Sequence, residues 1–511
     1  MVFICLPILF GCQTNLSQEG DSSPRICPRC NNASVIQAPG HHWLCGVCRW
    51  EVPLQPGWEP MLAVYSRFSE KKKAFIVFLV SWAGLIPFFV SGSFVPSIPQ
   101  IARDFDTTGA VVNLAVSLSI LASAIGSLTW ARYSGYYGRR PVYLAAFPIL
   151  IIGSLGVARS RSITELYAWR VVQAFGSGVG FSVGAGVIGD IYKLEERGKA
   201  MGIFTAACLL GPAVAPPTGG FVAYYYSWRI MQIAILFSAV IAFFALYAWL
   251  PETSQPNTRG IDKDGESVLV EERKVQLVFL NPLKDLALLR SPVILSVCLV
   301  QTSVLFMEFL ALNPLPYTLG EAFGIHNEAV IGAFFVPAGV GNILGAPIAG
   351  RISDRILVKA KKRRGGEWVP EDRLPAALVG AGILVPFAML FFGLTTTFAS
   401  AKVGSVVILA VLFMNGIGID FALTPTTAYT VDIMHHKSAE IMAATSCLRG
   451  TVLALGVSGI LPAIERFGLL VTYTAAAVLS WLAFGLLLVT IKYGDRMRAW
   501  IDIGYSTPAT N

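Results

Sequence analysis

Charge is what this 511-residue sequence has least of: Asp, Glu, Lys and Arg together make up 14% of it. A water-soluble globular chain carries about 25%, so an ordinary soluble protein is excluded. The scarcity is uneven, because long apolar runs alternate with short charged loops. The apolar runs also lack any set of metal ligands or any activated nucleophile, which argues against a membrane enzyme. The formal G-x-S-x-G around Ser182 lies in one apolar helix, whereas a nucleophile elbow needs a strand, a sharp turn and a helix. Acids are rare in the second half, and only Glu308 and Asp420 fall inside long apolar runs there.

What fills the chain is hydrophobic sequence, 54% of all residues. Runs of about 18 or more apolar residues are long enough to cross a bilayer. Windows of that kind predict twelve spans. The first six lie near 74–96, 109–130, 141–158, 165–189, 200–222 and 229–250. The second six lie near 292–315, 329–350, 374–395, 403–425, 441–463 and 469–491. The expected organisation is an all-α membrane protein with two six-helix bundles, 74–250 and 292–495. A central loop 251–291, an N-terminal segment 1–73 and a tail 496–511 complete it.

Lys and Arg concentrate in alternate loops: Lys71–Lys73, then Arg132, Arg139 and Arg140, then Lys193, Arg197 and Lys199, and finally "RILVKAKKRRGGEWVPEDR". The positive-inside rule places that side, both termini and the central loop in the cytosol. This asymmetry accounts for the net charge of +8 without a nucleic-acid partner. The opening "MVFICLPILFGC" is apolar but short and has no basic n-region, so it reads as a signal peptide only weakly. Cys27, Cys30, Cys45 and Cys48 then form two C-x-x-C knuckles, the spacing of a four-thiolate zinc site. His41 and His42 are alternative donors, and two disulfides or four unpaired thiols are the competing readings. "WLCGVCRWEVPLQPGWEP" resembles the end of a small fungal zinc ribbon. Cys208, Cys298 and Cys447 fall in spans as small apolar residues.

Motifs in the apolar part are more specific. The loop after span 2 reads "ARYSGYYGRRPVYL" and the loop after span 8 "GRISDRILVKAKKRR", a faint echo between the halves. Span 4 holds "LYAWRVVQAFGSG", span 5 "LLGPAVAPPTGGFV", and "GDIYKLEERGKAMG" joins them. Together these resemble the major facilitator superfamily, and within it the fungal twelve-span drug:proton antiporters, over nearly all of 74–495. In that family the loop after span 2 reads G-x-x-x-D-R-x-G-R-R. Gly138, Arg139 and Arg140 match, while Ala131, Gly135 and Tyr136 replace the first glycine, the acid and the first arginine. The second loop supplies Gly350, Asp354 and Arg355. The resemblance implies that these charges gate the two bundles, with Asp354 standing in for the missing acid; otherwise they mark topology alone.

In span 4, Arg170 and Gln173 match R-x-x-Q-G, with Ala174 departing. An intramembrane guanidinium is rarely left unpaired, although Arg170 lies near a span end and has the reach to snorkel. Asp190, Arg197 and Gly198 match the next loop, and Asp432 and Arg449 match the connection between spans 10 and 11. Gly211, Pro212, Pro216, Gly219 and Gly220 follow the span 5 antiporter signature, with Ala215 for one glycine. Small residues every four positions bare a helix face for close packing, and the prolines are expected to bend the helix. Gly341 and Gly345 form a G-x-x-x-G packing pair in span 8.

A carboxyl whose surroundings alternate between hydrocarbon and water takes up and releases a proton as its exposure changes. Glu308 and Asp420 are therefore the proton-coupling candidates, with Arg170 and Gln173 as coupling or substrate residues. Pairing of either acid with Arg170 is the structural alternative. Trp82, Phe88, Phe89 and Phe94 are candidates for an apolar cavity. The expected activity is proton-coupled efflux of small organic molecules by a monomer in the plasma or vacuolar membrane, with no cofactor for transport. An importer of a nutrient or polyamine, and a sensor that has lost transport, are the alternatives.

Overall fold

The structure is a computed structural model that describes residues 35–38, 42–45, 65, 67–192, 194–254, 259–261, 280–365, 369–434 and 438–501. The chain divides into two compact units, 1–67 and 68–511. In the first, β1 (Val35–Ala38) and β2 (His42–Cys45) form an antiparallel hairpin with Val35 opposite Cys45. Of the four cysteines expected to hold zinc, Cys45 alone is described, and Cys27, Cys30 and Cys48 lie outside the described residues.

Among its described residues, the second unit contains twelve helical segments long and apolar enough to cross a membrane. Spans 1 to 6 are Glu70–Asp104, Gly109–Tyr137, Arg139–Arg159, Ile163–Ile191, Ala200–Tyr225 and Trp228–Trp249. Spans 7 to 12 are Pro292–Gly320, Glu328–Arg363, Pro370–Phe398, Ala401–Ile433, Glu440–Phe467 and Leu469–Trp500. Successive spans run antiparallel. Lys71–Lys73, Arg139, Arg140 and the run 359–364 therefore gather at one end, the basic face. Spans 2, 4, 6 and 8 start at the opposite, far face. Each is capped by a short polar side chain, from Thr108, Ser162, Ser227 or Asn327, that accepts a free backbone N–H of the first turn. Large apolar side chains such as Phe237, Phe244, Leu455 and Leu482 stay exposed on the flanks, where hydrocarbon is their natural solvent.

Several spans are broken, and the breaks have local causes. Span 9 passes through a π-helical turn, Gly380–Leu384, just before Pro386. Proline has no N–H to give the carbonyl four residues back, and Trp481 Nε1 of span 12 donates to that carbonyl, Gly382 O, at 3.1 Å. Span 7 breaks at Asn313 and Pro314. Span 5, by contrast, remains an unbroken helix through Pro212, Pro216 and Pro217, so the expected bend involves no interruption of the helix.

Apolar packing is continuous between the bundles at the far face. One buried cluster joins Phe94, Ile98 and Val116 of spans 1 and 2 to residues of spans 7 to 12. A separate cluster lies within the first bundle, joining Ile76 of span 1, Trp130 of span 2 and Tyr143 of span 3 to residues of spans 4, 5 and 6. Nearer the basic face, a small cluster of Leu128, Ala443 and Cys447 links spans 2 and 11.

Candidate transport site

Span 5 shows how the small-residue sequence is used. Its Gly211, Ala215 and Gly219 face span 1, meeting Phe88, Gly92 and Ser93. Its Ala213, Pro216, Pro217 and Gly220 face span 8 of the other bundle, meeting Gly339, Gly332 and Glu328. A Cβ at Gly220 would overlap the carbonyl of Glu328. The signature thus has two bare faces where the sequence suggested one. Gly341 and Gly345 of span 8 pack instead against span 10, at Phe413 and Ile417.

Polar groups close the far face further. Arg103 at the end of span 1 forms an ion pair with the buried Glu328 at the start of span 8. Asn113 of span 2, fully buried, donates to Val457 O of span 11 at 2.8 Å and accepts from Asn313 Nδ2 of span 7 at 3.2 Å. Asn113 thereby engages the break in span 7. Neither contact was foreseen, because single Asn and Arg residues near span ends carry no pattern.

At the basic face the predicted gate residues are held inside their own bundles. Arg139 Nε donates to Asp190 at 2.8 Å, and its Nη1 donates to Ser134. The backbone N–H groups of Arg139 and Arg140 donate to the Glu252 carboxylate at 2.9 and 3.2 Å. Gly138 has φ +105°, and any side chain there would run into Glu252. Glu252, at the end of span 6, thus fills an anchoring role that the sequence motif did not assign. In the second bundle Asp354 pairs with Arg373, which also holds Asp432, both at 2.8 Å. Asp354 therefore makes its ion pair within its own half, contrary to the expected crossing. Arg355 is exposed beside Lys359 and Lys362. The two halves match in position: Arg139 with Asp190 at spans 3 and 4, Arg373 with Asp432 at spans 9 and 10.

Arg170 does not snorkel. It is fully buried in the first bundle, its guanidinium 4.2 Å from the centre of the Phe94 ring. It donates to Val90 O at 3.0 Å and to Gln173 Oε1 at 2.9 Å. Val90 lies where the first helix of span 1 ends, so Arg170 caps a break. Gln173 passes the network on to Ser154 and Gln232, both at 3.0 Å. Phe94 is core rather than cavity lining, and Phe88 packs against Phe181. Ser182 donates back to Gly178 O within its helix, with no elbow.

The two acids come together in the other bundle, away from Arg170. Glu308, half-buried at mid-span, accepts from Asn342 Nδ2 of span 8 at 2.9 Å. Asp420 of span 10 is buried against Gly345, one turn along span 8 from the Asn342 that holds Glu308. Asp420 Oδ2 has no hydrogen-bond partner, and the same holds for the buried Oδ1 atoms of Asn342 and Asn415. No basic side chain pairs with either acid among the described residues. Such a cluster can bind a proton without first breaking a salt bridge.

The profile of the Major Facilitator Superfamily matches residues 79–457. The efflux pump radE of Floropilus chiversii is 28% identical, over 82% of this chain and 80% of its own. The MFS transporter fsa7 of a Fusarium species is 30% identical over 93% of each chain. The MFS antiporter QDR3 of Candida albicans is 23% identical over 85% and 80%. Among solved structures, the xylose transporter XylE from E. coli, in a partially occluded inward open conformation, superposes with a TM-score of 0.60. It has 16% identity and covers 83% of this chain and 98% of its own. These relatives are transporters rather than enzymes, as the sequence anticipates.

Proposed function

This chain belongs to the major facilitator superfamily, and we propose on that footing that it exports small organic molecules in exchange for protons. The observation that carries the reading is the Glu308–Asn342–Asp420 cluster, acidic and without a basic partner, at mid-span in the second bundle. The bundle contacts add to it. Arg103–Glu328, the Asn113 bonds and the packing of spans 5 and 8 hold the far face together. With the basic face taken as cytosolic from its Lys and Arg excess, this conformation would load cargo from the cytosol. Opening of the far face would then release the cargo and give Glu308 and Asp420 access to external protons. Each proton returning inward carries about 2.3 kcal/mol at 100 mV, before any pH gradient. Names of the relatives, efflux pumps and an antiporter, support the same direction.

The test is transport by the full-length protein in proteoliposomes with an imposed pH gradient. Solute movement should follow the gradient and vanish with a protonophore. Glu308→Gln, which keeps the bond to Asn342, should lose gradient-driven accumulation while retaining exchange of solute across the membrane. Equilibration without accumulation, indifferent to the gradient, would instead favour a facilitator.

A further inference from the structure

Arg449 lies between two and three turns inside span 11 and is half-buried. Its Nη1 donates to Gln301 Oε1 of span 7 at 3.2 Å and its Nη2 to Ser446 Oγ at 3.2 Å. Gln301 Nε2 in turn reaches Thr427 of span 10 at 3.5 Å. All of these partners are neutral, and Arg449 forms no ion pair among the described residues.

Its location follows from the packing. Span 7 packs against both span 10 and span 11. Leu299, Thr302, Ser303 and Phe306 of span 7 line an apolar crevice of about 410 Å³ together with Val452 and Leu453 of span 11 and residues of span 12. Gln301 lies on the opposite side of the helix, the side that Glu308 shares at seven residues' spacing. Thr427 and Asp420 share a face of span 10 in the same way. A polar strip therefore runs along the second bundle, with the acids deep and Arg449 two turns, about 10 Å, nearer the basic face. Cys447 and Gly450, on either side of Arg449 in sequence, meet Leu128 and Ala124 of the first bundle. Arg449 thus sits beside the seam between the bundles.

A guanidinium inside a span with no counter-charge is expensive and marks a functional site. Arg170 differs because it is wholly enclosed: its Nη1 caps span 1, and no solute reaches its unpartnered Nε and Nη2. Arg449 is partly accessible and keeps a fixed, planar set of donors suited to a carboxylate. We propose that Arg449, with Gln301 and Thr427 beside it, binds the carboxylate of an organic-acid substrate. The counter-ion missing from the protein is then supplied by the cargo. The inference rests on the transport reading but not on proton coupling.

Thermal stability of the purified full-length protein tests it, with benzoate, phenylacetate and indole-3-acetate each compared with its amide at fixed chloride. At least one acid should raise the melting temperature where its amide does not. Arg449→Gln should weaken that acid's apparent affinity at least tenfold and remove the preference over the amide. Without ligand the same variant should melt no lower than the parent, since a neutral side chain relieves an unpaired buried charge. The thermal assay needs no pH gradient, so a failure of proton coupling would leave this result standing. Equal shifts by acids and amides, no shift by any acid, or a retained preference in Arg449→Gln would each overturn the proposal. Destabilisation of unliganded Arg449→Gln, with acid binding intact, would assign Arg449 a structural role instead.

Discussion

Arg170 and Arg449 both sit well inside their spans, and their neighbours separate their roles. Arg170 is enclosed, bonded to a carbonyl at a helix break and laid on Phe94. Replacing it with Met should cost about 3 kcal/mol, the worth of charge-assisted bonds lost in a dry site. A lowered melting temperature of the purified variant would read this out. Arg170→Lys should rescue little, because a compact ammonium cannot spread over the Phe94 ring as the planar guanidinium does. At Trp481 the loss is a single donor. Trp481→Phe should cost about 1–3 kcal/mol by orphaning Gly382 O in span 9, again measured as thermal stability. Sequence reading found Arg170, Gln173, Glu308 and Asp420 because charge and amides stand out in apolar runs. It could not tell that they belong to two separate networks, since the partners come from other spans. Asn342 and Glu252 went unnoticed for the same reason.

At the scale of the element, span 5 is the informative case. Its spacing of Gly, Ala and Pro correctly advertised close helix approach. Which helices approach is a matter of azimuth, and two different neighbours use two faces. The face on span 8 crosses between the bundles, so it must separate if the far face is to open. Gly220→Leu would drive a branched side chain into the Glu328 backbone and should favour the separated arrangement. Spin labels on the far-face ends of spans 5 and 8 should show a longer distance in the variant than in the parent. An unchanged distance distribution would mean that spans 5 and 8 do not part.

For the whole molecule, the ion pairs at the two faces serve different ends. At the basic face, Arg139–Asp190 and Arg373–Asp432 brace each bundle internally. At the far face, Arg103–Glu328 and Asn113 join one bundle to the other. A contact present in one arrangement and absent in another biases the equilibrium between them. Arg103→Gln combined with Asn113→Ala should therefore shift the population towards far-face opening by roughly three- to tenfold. Faster labelling of a cysteine introduced at position 116, buried in the inter-bundle cluster at this face, would report it. The same double variant should leave the Arg139–Asp190 and Arg373–Asp432 pairs intact, because neither depends on the other bundle.

Sequence alone determined the number of spans, their alternation and the crowding of positive charge at one face. Those features depend on residue-by-residue transfer between water and hydrocarbon, which needs no knowledge of neighbours. It also flagged the small-residue helix, since close packing requires missing side chains. Only the tertiary structure decided that Arg170 caps a helix break while Arg449 lacks a counter-ion. It alone set Glu308 beside Asn342 and Asp420, and kept Asp354 within its own bundle. Those outcomes turn on which helix faces meet, and residues more than a hundred positions apart settle that by packing rather than by local preference.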